Sequence, residues 1–232
     1  MIEVSAYVLN IENCDHSIIE DNQSLLPASS IKRLSDFTNS KVKIQSFVGE
    51  ILARYAISEH FDVPYILSDF SFAARGKPFL SDYEGYNFNI SHSKNWLACA
   101  VSDVNVGVDV EGIRKINSKV ADRFFTEREV RYLNTLNGDE RNEMFIRFWT
   151  IKESYLKAIG KGLALELNSF NIEPKGDDDF VLDNNKDAEK YSVFSYKIKD
   201  AYVAVCAEKP AQKPRLICTD IDKVLKNVQS NL

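Results

Sequence analysis

The sequence predicts an α+β protein built as two similar halves, and three observations lead there. First, short segments recur in the same order at nearly constant spacing. Glu50-Ile51-Leu52-Ala53-Arg54 is echoed by Glu153-Ser154-Tyr155-Leu156-Lys157 at an offset of 103. Leu67-Ser68-Asp69-Phe70-Ser71-Phe72 is echoed by Leu167-Asn168-Ser169-Phe170-Asn171-Ile172 at 100, and Trp96-Leu97-Ala98-Cys99-Ala100 by Tyr202-Val203-Ala204-Val205-Cys206 at 106. Second, each half carries a long run of helical spacing followed by runs of strand alternation. Third, 232 residues that are 44% hydrophobic and 27% charged suffice to bury a substantial core. A junction at 102–106 divides the chain into halves at 1–104 and 105–232, related as a pseudo-twofold duplication. The competing reading is that both halves merely contain a helix followed by strands.

The elements follow in order. Residues 2–8 alternate apolar and polar, as a strand does. Residues 46–61 place Phe47, Ile51, Leu52, Tyr55 and Ala56 at helical spacing. Gly76-Lys77-Pro78 punctuates two strand-like runs, with Pro78 marking an edge or turn. A strand is predicted over 104–110, one or two helices over 119–136, and a helix over 145–159. Strands follow at 170–172, 191–198 and 202–206, then a short strand and helix within 216–228. The acidic stretches Gly176-Asp177-Asp178-Asp179 and Asp183-Asn184-Asn185-Lys186-Asp187 read as solvated turns, lacking the glycine and terminal glutamate of a calcium-binding loop.

Bulk properties narrow the function classes. A net charge of −5 argues against a general nucleic-acid binder, which carries a basic excess. Cys14, Cys99, Cys206 and Cys218 form no C-x-x-C pair, and the three histidines supply no zinc spacing. Cys99 and Cys206 lie in apolar runs and read as buried thiols. Met1-Ile2-Glu3-Val4 opens no signal peptide, and no run is long enough to span a bilayer. The expectation is a soluble, cytoplasmic protein.

Three segments carry candidate chemistry. In Val106-Gly107-Val108-Asp109-Val110-Glu111 the valines share one face of a strand, and Asp109 shares the other with Glu111. Two adjacent carboxylates repel unless a cation or proton lies between them, and a hard ion such as Mg²⁺ suits oxygen ligands. Asp82/Glu84 and Asp187/Glu189 have the same spacing, so the pair alone also fits a solvent-facing strand. Glu153 and Lys157 share a helical face, either as a surface ion pair or as a metal carboxylate and a phosphate-binding cation. Phe88-Asn89-Ile90-Ser91-His92-Ser93 ends a strand with two hydroxyls and an imidazole. No G-x-S-x-G elbow surrounds either serine, which weighs against a serine hydrolase.

In this order these segments resemble the surfactin-synthetase-activating (Sfp) type of phosphopantetheinyl transferase. The resemblance rests on Gly76-Lys77-Pro78, Phe88-Asn89-Ile90-Ser91-His92-Ser93, Gly107-Val108-Asp109-Val110-Glu111, and Trp149-Thr150-Ile151-Lys152-Glu153-Ser154-Tyr155-Leu156-Lys157. Phe124-Phe125-Thr126 through Glu129 and Gly160-Lys161-Gly162-Leu163 extend it over residues 33–172. It implies two α+β halves with coenzyme A in the cleft between them. It implies Mg²⁺ on Asp109, Glu111 and Glu153, and Lys157 on the coenzyme A phosphates. Lys77, Ser91 and His92 are expected to line the coenzyme A site, with Ser46 and Arg54 as further candidates. Lys32 and Arg33 stand nearest to the residues expected at the ribose 3′-phosphate, while Ser29 and Ser30 stand where a lysine is expected. The implied reaction moves the 4′-phosphopantetheine arm to a serine of an acyl or peptidyl carrier protein. Asp109, Glu153 and Lys157 are its catalytic residues, with Glu153 the first choice of base and Glu129 the second. A single chain that builds the whole cleft implies a monomer without nucleic-acid or membrane partners. A metal-dependent phosphohydrolase and a non-catalytic binding protein are the rival readings.

Overall fold

A computed structural model describes residues 2–116, 119–160, 165–176, 179–183 and 186–231. Asp177, Asp178, Asn184 and Asn185 of the acidic stretches, and Lys161-Gly162-Leu163 of the resemblance, lie outside these. The chain begins with β1 (Val4–Asn10), α1 (Ser17–Asn22), α2 (Ala28–Ser35) and α3 (Ser40–Phe61). Next come β2 (Ser71–Phe72), β3 (Pro78–Phe79), β4 (Asn87–Ser93) and β5 (Trp96–Ser102). The second half runs through β6 (Val106–Gly112), α4 (Lys119–Phe124), α5 (Glu127–Leu133) and α6 (Gly138–Ala158). It continues through β7 (Asn171–Pro174), β8 (Asp179–Asp183), β9 (Tyr191–Ile198) and β10 (Ala201–Glu208), then β11 (Arg215–Cys218) and α7 (Ile221–Ser230).

Two sheets form, in the orders β11-β1-β5-β4 and β6-β10-β9-β8-β7, with β2 and β3 as a separate ribbon. Their inner faces meet. Val4, Ala6, Val8, Ala98 and Ala100 of the first pack on Val106, Val108, Val110, Val203 and Val205 of the second. On the outer faces, Leu97, Cys99 and Val101 pack on α3, while Tyr202, Ala204 and Cys206 pack on α6. The result is four layers, helix-sheet-sheet-helix, in which period-2 alternation sends successive strand residues to different cores. Both predicted thiols, Cys99 and Cys206, are fully buried in these layers.

The two halves repeat one order: a strand, a long helix, then a hairpin whose second strand pairs antiparallel with the first. Both hairpins turn on two residues, Lys94-Asn95 and Lys199-Asp200, with each lysine at positive φ (54° and 42°). Such short turns fix the register of the flanking strands. Matched at their turns, the hairpins set Leu97 against Tyr202, at an offset of 105 where the similar segments had suggested 106. A slip of one residue exchanges faces: Trp96 lies between the sheets, whereas Tyr202 faces α6.

Each long helix also buries a cation that holds the segment after it. Arg54 of α3 donates to the carbonyls of Ile66 (2.6 Å) and Ser68 (2.9 Å) and lies over the Phe70 ring. Lys152 of α6 donates to the carbonyls of Leu167 (2.7 Å) and Phe170 (2.8 Å) and lies over the Phe170 ring. Both are fully buried and paired, Arg54 with Glu50 and Lys152 with Glu129. A buried charge of this kind persists only with such partners.

The last elements depart from the expected division. The boundary at 104/105 falls in the loop between β5 and β6, but β11 pairs in parallel with β1, and Val224 and Val228 of α7 enter the α3 core. Residues 215–230 therefore complete the N-terminal half.

Candidate functional site

The site lies where β4 of the first sheet meets β6 of the second. Here the edge of β6 is satisfied by side chains: the Val108 N–H donates to Asn89 Oδ1 (2.9 Å), and the Val110 N–H to Ser91 Oγ (3.4 Å). The valines of β6 face the inner core, so Gly107, Asp109 and Glu111 face α6. Gly107 lets the helix touch the strand. A β-carbon there would lie 2.1 Å from the Ser154 carbonyl oxygen and 2.3 Å from the Ala158 nitrogen. That approach brings the helical pair Glu153 and Lys157 onto the two strand carboxylates.

Lys157 Nζ lies 2.6 Å from Asp109 Oδ1 and 2.8 Å from Ser91 Oγ, and Ser91 Oγ donates to the same carboxylate oxygen at 2.8 Å. Burial nevertheless pushes the Asp109 carboxyl above the usual carboxylate range, against the pull of Lys157. Its second oxygen, Oδ2, is buried with no hydrogen-bond partner. Glu111 accepts from Ser93 Oγ (2.8 Å) and Arg114 Nη1 (2.5 Å). Glu153 is partly buried and makes no hydrogen bond or ion pair among the described residues. Desolvation first, and then the neighbouring charge of Asp109, raises its carboxyl. The three expected carboxylates thus share one electrostatic environment. Among the described residues, however, no three acidic, histidine or cysteine side chains are already arranged as a metal cage.

Two adjoining cavities open beside this cluster. One, about 200 Å³, is lined by Arg75, Lys77, Asn89 and Lys157. The other, about 350 Å³, is lined by Arg33, Phe37, Ser46, Glu50, Phe72 and His92. Gly76, Pro78 and Ile90 contribute to the walls of both. Desolvation and the nearby Lys157 ammonium hold the His92 imidazole below the usual histidine range. A cavity of about 560 Å³ between the two hairpin turns, near Asn95 and Asp200, contains none of these residues.

Most predicted positions therefore gather at one place, with exceptions. The Lys77 ammonium donates to the carbonyls of Val106 (3.0 Å) and Lys157 (3.1 Å), and burial brings it down to about 8. Arg54 departs from its expected ligand role, because its guanidinium is fully buried among internal partners. Arg33 lines the cavity, but donates to Glu50 Oε2 (2.6 Å) and lies over the Phe72 ring. Lys32 is exposed on α2, outside both cavity walls. Glu129 departs from its place as an alternative base. It is buried against Lys152 (2.9 Å), accepts from the Thr126 and Ile172 N–H groups, and so closes the start of α5.

The sequence reading missed Asn89, Arg75, Arg114 and the Glu50 hub. Asn89 was findable, because it lies two residues before Ser91 on the same strand face. Glu50 gathers Ser30 and Arg33 from α2 as well as Arg54 one turn along its own helix, and no local spacing encodes the first two.

Comparison with known proteins places this arrangement. Residues 105–207 match the 4′-phosphopantetheinyl transferase superfamily, and residues 15–104 match the family described as 4′-phosphopantetheinyl transferase, N-terminal. The 4′-phosphopantetheinyl transferase gsp of Aneurinibacillus migulanus is 35% identical over 73% of this chain and 70% of its own. The transferase ffp of Bacillus subtilis is 31% identical over 81% of this chain and 84% of its own. Sfp of Bacillus subtilis (strain 168) is 32% identical over 72% and 75%. With both halves matched and the carboxylate-lysine cluster at their seam, the chain belongs to the 4′-phosphopantetheinyl transferase family.

Proposed function

We propose that this chain transfers the 4′-phosphopantetheine arm of coenzyme A to a serine of an acyl or peptidyl carrier protein, releasing 3′,5′-ADP. The observation that carries the reading at residue level is the Asp109 carboxylate, buried with one oxygen unpartnered, beside Glu153, which is unpaired among the described residues. A hard cation suits this donor set: it would satisfy the orphaned oxygen and relieve the repulsion that raises Asp109 and Glu153. Asp109, Glu111 and Glu153 are the residues that would hold Mg²⁺. When bound, the ion supplies charge neutralisation at the pyrophosphate.

The chain's own residues do the rest. Lys157 lines the smaller cavity, which shares Gly76, Pro78 and Ile90 with the larger, so coenzyme A lies along both with its pyrophosphate toward that ammonium. Ser91 and Ser93 hold Asp109 and Glu111 in orientation. The serine oxygen of the carrier forms a bond to the phosphorus bearing pantetheine, and the bond from that phosphorus to the bridging oxygen breaks. The serine proton passes to Glu153, a carboxylate with no hydrogen-bond or ion-pair partner among the described residues. Positioning and neutralised charge supply most of the acceleration in phosphoryl transfer of this kind.

The division at 104/105 assigns one wall of the cleft to each half. A cleft completed within one chain supports a monomer. No helix among the described residues is long and apolar enough to cross a membrane.

The test is the intact mass of an apo carrier protein after incubation with this chain, coenzyme A and Mg²⁺, with and without EDTA. A gain of one phosphopantetheine arm, lost with EDTA, is the expected result. Breakdown of coenzyme A without a carrier would replace the transferase with a phosphohydrolase. Coenzyme A binding without either reaction would leave a binding protein.

A further inference from the structure

Coenzyme A brings a pyrophosphate and a ribose 3′-phosphate, and the cavity cations must answer that charge. Four candidate cations line the joined cavities, and three already hold partners within the protein. Arg33 is bound to Glu50, Lys157 to Asp109 and Ser91, and Lys77 to two backbone carbonyls. Lys77 moreover reaches from the β2–β3 ribbon to the start of β6 and the last turn of α6. It acts as a pin between elements of the two halves, which leaves one of its three ammonium hydrogens for a ligand.

Arg75 is different. It lines the same cavity, yet its guanidinium has no hydrogen-bond or ion-pair partner among the described residues. The backbone aims it. The Gly76 N–H donates to the Ala73 carbonyl (2.8 Å), and the Ala73 N–H to the Lys77 carbonyl (2.9 Å). Gly76 takes φ +80°, which favours glycine, and this closes a tight turn with Arg75 at its tip. A guanidinium offers a planar fork of donors that matches phosphate geometry.

Resting on the transferase reading, we infer that Arg75 is a substrate-binding residue that contacts a phosphate of coenzyme A with its unengaged guanidinium fork.

The experiment is calorimetric titration of coenzyme A and of dephospho-coenzyme A into wild type, Arg75→Gln and Arg75→Lys, with transfer kinetics in parallel. Arg75 is exposed at a turn, so circular dichroism and the unfolding midpoint should match wild type. Arg75→Gln should weaken coenzyme A binding about tenfold or more and raise KM with kcat nearly unchanged, with partial recovery in Arg75→Lys. A loss confined to coenzyme A assigns the 3′-phosphate; a loss shared with dephospho-coenzyme A assigns the pyrophosphate. Unchanged affinity for both compounds overturns the inference. A wild type that binds coenzyme A without transferring its arm overturns the proposed function instead, and leaves Arg75 to be judged by affinity.

Discussion

Replacing Gly107 with alanine probes the contact on which the site depends. The added methyl would meet the Ser154 carbonyl oxygen at 2.1 Å and the Ala158 nitrogen at 2.3 Å, both backbone atoms that cannot rotate aside. To restore ordinary contact near 3.4 Å, α6 must retreat from β6 by about 1 Å. The helix carries Glu153 and Lys157, while the strand carries Asp109 and Glu111, so that retreat separates the two pairs. Overpacking of this kind costs ~1–3 kcal/mol of stability, and a displacement of about 1 Å at reacting groups costs ~100-fold in rate. Urea unfolding should therefore show a modest loss. Transfer to a carrier serine, assayed where circular dichroism shows the variant folded, should fall by about two orders of magnitude. Gly107→Ser should do at least as much damage. Should Gly107→Ala turn over within threefold of wild type, helix-strand contact at this glycine does not set the site geometry.

Other consequences are open to direct measurement. Asp109→Asn should lower transfer at least about a hundredfold while the unfolding midpoint stays near wild type, and near-normal turnover would remove Asp109 from the mechanism. Arg54→Met should cost ~3–5 kcal/mol in urea unfolding, because Glu50 loses a buried partner, while coenzyme A affinity of the folded variant holds; a stable variant with lost affinity would return Arg54 to the ligand site. Lys77 titrates at about 8 when folded against an ordinary 10.5. Between those values the unfolded chain binds the extra proton, so this group adds stability as pH rises from 8 to 10.5, up to ~3 kcal/mol. Unfolding free energies of wild type and Lys77→Met across that window should diverge in favour of wild type, and parallel curves would show that Lys77 titrates normally.

Local periodicity revealed the parts of the site that lie on single elements. Alternation in Val106-Gly107-Val108-Asp109-Val110-Glu111 placed valines inward and carboxylates outward, and the strand obeys it. Spacing of four placed Glu153 with Lys157 on one helical face. The identical spacing of Glu50 and Arg54 was uninformative, because α3 is buried around most of its middle turns and offers no polar face. Its acid and base turn inward to hold Ile66, Ser68 and Ser30. The hairpin register was obscured by small residues: Ala98-Cys99-Ala100 aligns with Val203-Ala204-Val205 as readily as with its neighbours. Only the two-residue turns decide. Lys77 could not be read either, since two carbonyls remote in sequence determine where its ammonium goes.

The parallel pairing of β1 with β11 also bears on how the chain is made. Arg215 follows Ser102 by 113 residues, so β5 can pair with β1 long before β11 exists. At ~5–20 residues per second, translation leaves the far edge of β1 open for roughly 6–23 s. Val4-Ser5-Ala6-Tyr7-Val8 is buried on both faces in the finished fold, and an uncovered edge of that composition is a template for pairing with another chain. Vulnerability to aggregation is thus concentrated in the nascent polypeptide, and chaperone engagement there should end as residues 215–230 clear the ribosome.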